Sequence, residues 1–278
     1  MKKFWTHASK RLKAGLFITA FFFILGFVVY YFPHINPFSF NSYPKKLLPS
    51  LEHLLGTTTM GQDTFWLLIE AIHNSLLIGL IVATIGTVLG VLVGLIAGFS
   101  GGALDRVLMV ITDTFVVIPS LPILILMTSL MKGTSTVIML ALVLAMFAWA
   151  WPSRQIRAMA LSIRERDFIS TARFSGESTF QIVTTEILPY ALTWSLSNFM
   201  NATLNAIAAE SSLAVLGLSP ASLISLGNMI QWARNRNAIF AQQWFWIGSP
   251  IVATVLLFIG LFMLISGYND YLSMKRGR

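Results

Sequence analysis

Arg164-Glu165-Arg166-Asp167-Phe168-Ile169-Ser170-Thr171-Ala172-Arg173-Phe174-Ser175-Gly176 is a charged, partly apolar run set between strongly apolar stretches of a 278-residue chain. Its helix-forming residues end at a glycine, which takes the left-handed conformation that closes a helix, so the run predicts a short helix stopped at Gly176. Ser178 suits the cap of a second short helix over 178–188, expected to end at Pro189. A polar excursion of this length between apolar runs is either a solvated connector or a docking element. Phe168, Ile169, Ala172 and Phe174, placed among the charges, favour a helix pair lying against a partner protein.

Outward from this segment the chain is written for lipid. Of its residues 56% are hydrophobic and 11% charged, against roughly a quarter charged in a soluble globular chain. A helix needs roughly 20 apolar residues to cross a hydrocarbon core. Runs of that kind lie at 16–32, 75–99, 107–130, 136–151, 189–218 and 244–267. Pro119 and Pro122 are expected to break the third, because a prolyl ring removes a backbone donor. The fourth is expected to stop at Pro152. The expectation is an all-α membrane protein of about six transmembrane helices. A polar loop follows the first span as far as about residue 70, with a turn at 100–106, a tight turn at 131–135, the long segment 153–188 and a further segment reaching residue 243.

The first run follows Lys2, Lys3, Lys10, Arg11 and Lys13 and so also fits a secretory signal peptide. Its length, and its end at Phe32-Pro33 without a small-residue cleavage site, favour a retained helix. Six spans with both termini inside place fourteen of the nineteen Lys and Arg on the cytoplasmic side. Lys45, Lys46, Lys132, Arg234 and Arg236 are left outside. That bias is the one membrane proteins follow, and it makes the segment 153–188 cytoplasmic.

The net charge of +8 therefore reports orientation, and no nucleic-acid partner is expected. With no cysteine, disulfides and thiolate metal sites are excluded. His7, His34, His53 and His73 have no ligand-like spacing and read as exposed or interfacial residues, so no metal site is expected. The chain has no Gly-x-x-x-x-Gly-Lys-Ser/Thr loop to cradle phosphates and no credible nucleophile–base pair. It is not expected to be an enzyme.

Ser170-Thr171-Ala172, then Gly176 and, twelve residues on, Leu188-Pro189 resemble the EAA loop of ABC importer permeases. Ser170 stands where many members carry Glu, and Glu186 where an apolar residue is common. The resemblance narrows to the second permease subunit of the dipeptide/oligopeptide importer family. It is carried by Leu55-Gly56-Thr57, Gly61-Gln62-Asp63, Asn74-Ser75-Leu76-Leu77-Ile78-Gly79, Gly98-Phe99-Ser100-Gly101-Gly102, Pro119-Ser120-Leu121, Ala209-Glu210-Ser211-Ser212-Leu213, Leu216-Gly217-Leu218 and Leu226-Gly227-Asn228-Met229. It implies a type I importer-like fold in the inner membrane of a prokaryote. Residues 1–70 would form a cytoplasmic tail, first transmembrane helix and external loop, and residues 71–278 a five-helix permease core with a coupling loop at 153–189. Implied partners are a homologous second permease, two ATP-binding cassette ATPases and an external solute-binding protein. No cofactor is expected on this chain, while ATP and Mg belong to the ATPases. The coupling residues implied are Arg166, Phe168, Ser170, Thr171, Ala172, Gly176, Leu188 and Pro189. Peptides are the expected cargo, with oligosaccharides or nickel complexes also moved by this family.

Asp113 and Glu210 fall in or near predicted spans, where ionisable groups usually face a bundle interior or an aqueous path. A structural role, pairing with an Arg or capping backbone, is favoured. A proton- or ion-coupled secondary transporter using them is the alternative. Gly86, Gly90, Gly94 and Gly98 leave one helix face bare for close packing. Asn198, Asn201 and Asn205 share a face that suits a polar pathway or hydrogen bonds between helices. Trp149, Trp151, Trp244 and Trp246 sit at span ends, as interfacial anchors do.

Overall fold

The computed structural model describes residues 9–32, 36–130, 136–220 and 222–276, with residues 275 and 276 described by backbone alone. The turn expected over 131–135, Pro33, His7, His34, Lys2, Lys3, Lys132 and Arg278 lie outside these residues. In chain order the helices are α1 (Lys10–Phe27), α2 (Thr64–Ser100), α3 (Gly102–Val117), α4 (Ser120–Leu130), α5 (Val137–Ala148) and α6 (Ala150–Arg164). They continue as α7 (Asp167–Phe174), α8 (Thr179–Ile182), α9 (Leu188–Val215), α10 (Leu226–Asn235) and α11 (Trp244–Arg276). Among the described residues the only strand-like pairing is an isolated bridge between Thr57 and Asp63.

Lys10–Tyr31, Thr64–Ser100 and Trp244–Met274 are each long and apolar enough to cross a membrane unbroken. The pairs α3–α4 and α5–α6 qualify as bent spans, turned by 79° and 40°. The fifth expected span, 189–218, is α9, long enough at 28 residues, but Asn198, Asn201, Asn205 and Glu210 lower its apolarity. The sharper bend falls where expected: Ile118 is extended ahead of Pro119, whose ring disfavours helix in the residue before it. The shallower one corrects the expectation of a stop at Pro152. That proline is the third residue of α6, where a missing N–H breaks no helical hydrogen bond, and the helix runs on to Arg164.

The first compact unit is built from Met1–Gly79, Ile125–Leu140 and Leu204–Arg278. Here α1 and α11 run antiparallel in close contact. Gly260 lies against Ile18 and Gly267 against Leu12, where an added Cβ would come within 2.6 Å and 2.5 Å of a neighbouring heavy atom. Phe22, Leu67, Ile72, Met229, Trp246 and Leu257 form the core. Trp246 is thus a core residue and not the expected interfacial anchor, whereas Trp244 is exposed.

The chain between α1 and α2 is shorter and more ordered than the expected polar loop to residue 70, since α2 begins at Thr64. The Asp63 carboxylate caps that helix, accepting from the N–H groups of Phe65 at 2.8 Å and Trp66 at 3.2 Å. Its other oxygen meets Nδ1 of His53 at 2.6 Å. His53 is consequently buried within the protein, not exposed or interfacial as the sequence suggested. His73 bonds the carbonyl of Gly26 and stacks on Tyr30.

The second unit comprises Leu80–Leu124 and Ala141–Thr203. The glycine stripe packs as expected. Gly86 faces Ala148, Gly90 faces Pro152, Gly94 faces Ile156 and Gly98 faces Ala160, so α2 runs parallel to α5 and α6 at a constant register. A Cβ at any of the four would come within 2.6–2.7 Å of a neighbouring atom. The segment 153–164, expected to be part of a polar loop, is the amphipathic body of α6, burying Ser153, Ile156, Ala160 and Ile163.

Candidate functional site

The charged segment folds as two short helices set at an angle by a glycine. Asp167 stands in the first turn of α7 and Arg173 in its last, each complementing the helix dipole. The end is a Schellman motif: the N–H of Gly176 donates to Arg173 O at 3.0 Å, and that of Glu177 to Ala172 O at 3.1 Å. Gly176 accordingly has φ +84°. Ser178 and Gln181 then form a reciprocal capping box that starts α8. Pro189 does not end this second helix. The turn Val183–Ile187 is a π-helix, in which Leu188 N–H reaches back to Val183 O. The widened turn shifts the bonding register ahead of the proline, and the chain continues helically into α9.

The two faces of α7 differ. Ile169 and Ala172 point inward and pack with Ile156, Ala160 and Ile163 of α6 and with Ile182 and Ile187. The apolar residues grouped in the sequence as one partner-facing set therefore split. Phe174 is 92% exposed, Phe180 76%, and Phe168 lies at the margin of exposure. Arg166, Ser170, Thr171 and Pro189 are exposed as well, and Leu188 is half-buried. Ala172 supports the helix from beneath. Phe180 is absent from the sequence-derived set. Its place in the first turn of a capped helix that follows Gly176 was the available signal.

Two arginines reach α2, Arg164 from the end of α6 and Arg173 from α7. Arg164 donates to the carbonyls of Phe99 at 3.2 Å and Gly98 at 3.5 Å, satisfying the open C-terminal end of that helix. Arg173 lies 5.6 Å above the Phe99 ring, a cation–π contact. Packed and bonded groups thus join α7 to α6 and α2.

Asp113 approaches Arg154 at 3.6 Å, both half-exposed. Glu210 is fully buried. Its Oε1 accepts from the hydroxyls of Ser225 at 2.6 Å and Ser219 at 3.3 Å. Ser225 also caps α10, and Asn228 donates to Leu223 O, Pro220 O and Ser219 Oγ, so the network fixes the chain entering α10. The three asparagines are not equivalent: Asn198 is buried and donates to Thr87 Oγ1 at 3.3 Å, while Asn201 and Asn205 are exposed.

Residues 90–277 match the family described as the binding-protein-dependent transport system inner membrane component. The chain belongs to that family. Among relatives of this inner membrane component, the oligopeptide transport system permease protein OppC of Mycobacterium bovis is 32% identical over 96% of this chain and 94% of its own length. The dipeptide transport system permease protein DppC of Bacillus subtilis is 29% identical over 97% of this chain and 83% of its own. The fold of this chain is similar to that of a chain in an inward-facing structure of the MetNI methionine ABC transporter, with TM-score 0.54 and 19% identity over 77% of this chain and 99% of that one. The chain is thus a multi-pass, all-helical permease component of a transport system.

Proposed function

We propose that this permease forms half of the pathway of an ATP-driven importer for peptides, and that α7 with α8 is where separate ATPase subunits engage it. The single observation that carries the coupling role is the two-sided build of α7. One face is held on α6 and α2 by Ile169, Ala172 and Arg173, while Phe168, Phe174 and Phe180 stand outward. A groove in a partner that covers these rings gains apolar burial, and the exposed Arg166 beside them suits an acidic rim. The cargo class is supported by the oligopeptide and dipeptide permeases that the chain resembles. The excess of Lys and Arg in the segments holding α7 and both termini supports a cytoplasmic position for them. Nucleotide and Mg belong to the ATPases. A homologous second permease completes the pathway, and an external binding protein delivers solute.

The test uses the absence of native cysteine. With Phe174→Cys in the assembled transporter, a thiol crosslinker is expected to capture an ATPase subunit, and ATP to drive peptide uptake into proteoliposomes. Uptake by this chain alone, without nucleotide, would overturn the reading.

A further inference from the structure

We propose that the groove between α3 and α6 is a solute-contact site for the charged ends of a short peptide, its carboxylate on Arg154 and Arg106 and its ammonium on Asp113. The inference rests on the peptide-permease reading above. The groove has a volume of about 810 Å³ and is lined by these three residues together with Met109, Val110 and Ala158. Two ion pairs border it, and they differ in kind.

Arg157 grips Asp105 through two bonds, at 2.5 Å and 2.7 Å. That pair is satisfied and largely withdrawn from solvent, so it forms a fixed wall. Asp113 and Arg154 make one approach at 3.6 Å with both side chains about half exposed. A half-exposed pair of this geometry contributes little, so its members exchange readily for a ligand of matching signs. Arg106 is exposed and has no acidic partner among the described residues. The groove therefore offers two cations and one anion to a visitor. That arrangement fits a zwitterion and leaves Asp113 without purpose toward a lipid phosphate. Asp113 also lies eleven residues beyond Gly102, about 16 Å along α3 from the Gly101-Gly102 turn. Half-exposed charges on helices of a membrane bundle face an aqueous path in preference to lipid.

Met109→Cys, with Ala158→Cys as a second reporter, is introduced into the cysteine-free chain, and the assembled transporter is labelled in nanodiscs with an impermeant maleimide. Trialanine is expected to slow labelling several-fold, and trialanine blocked at both ends to leave it unchanged. Arg154→Gln is expected to raise the concentration of acetyl-trialanine needed for half-protection about tenfold, and Asp113→Asn to do the same for trialanine amide. Labelling indifferent to trialanine while ATP still drives trialanine uptake into proteoliposomes overturns the groove and leaves the permease reading intact. So does failure of either cysteine to label, or equal loss of protection by both peptides in both variants. If no peptide is taken up at all, the permease reading falls and takes this site with it.

Discussion

Arg157 and Asp105 join α6 to α3 by a fork-to-fork contact, Nε to Oδ1 at 2.5 Å and Nη2 to Oδ2 at 2.7 Å. Only a planar guanidinium supplies both bonds in one plane. Arg157→Lys keeps the charge and loses the fork. It is expected to destabilise the purified protein by about 1 kcal/mol, a fall of about 2–4 °C in Tm. Asp105→Asn should cost a similar amount. Because the residues act as a pair, the double variant is expected to lose less than the two single losses combined. Strict additivity in thermal unfolding would mean that the contact contributes nothing of its own.

The packing of α2 on α6 makes a contrast between two glycines. A Cβ on Gly94 would lie 2.6 Å from Ser153 O and 2.7 Å from Ile156 Cβ, while one on Gly248 meets nothing within 4 Å. Gly94→Leu must push two helices apart and is expected to cost about 2–3 kcal/mol. Gly248→Ala is expected to be neutral or slightly stabilising, because alanine favours a helix interior. Comparing the amount of folded protein extracted from membranes, and its Tm, checks both; equal behaviour would contradict the close approach.

The glycine stripe was legible in the sequence because a four-residue repeat marks one helix face whatever lies opposite. The break at Pro119 was legible because it is local chemistry. The termination of α7 at Gly176 and the cap at Ser178 were legible for the same reason. What could not be read depends on contacts remote in the chain. Trp246 looks like an anchor until α1 and α10 close over it, and His53 looks exposed until Asp63 turns to meet it. The bonds from Arg164 to Gly98 and Phe99 span more than sixty residues and leave no trace in local spacing. Pro152 and Pro189 misled in a different way. A proline breaks a helix only where its N–H is needed, and the first turn of α6 and the π turn before α9 remove that need.

At Gly176 the demand is conformational, since φ is +84° and a Cβ there meets nothing within 4 Å. A β-branched residue is driven from this conformation at a cost of about 1–2 kcal/mol, which tips the angle between α7 and α8. Gly176→Val is expected to leave the protein in the membrane while uptake per ATP hydrolysed falls sharply. Gly176→Asn, which tolerates the left-handed region better, is expected to retain most coupling. The check is the ratio of uptake to ATPase rate in proteoliposomes, and an unchanged ratio in the valine variant would separate this turn from coupling.

Glu210 decides between a pump driven from outside the chain and a carrier driven by protons. Its Oε1 receives two hydroxyl hydrogen bonds, from Ser225 and Ser219, and the same serines and Asn228 hold the entry to α10. If the residue is architectural, Glu210→Gln keeps an acceptor oxygen in place and uptake is expected to stay within about twofold, a change well under 1 kcal/mol. Glu210→Ala strands the Ser225 hydroxyl in a buried site and opens a cavity, with an expected loss of about 1–3 kcal/mol from the unsatisfied group alone. A proton carrier predicts the reverse order of severity for transport: glutamine, which cannot release a proton, would abolish accumulation while leaving Tm nearly intact. Measuring uptake and Tm on both variants separates the two, because an architectural residue moves them together and a proton-binding one moves only the first.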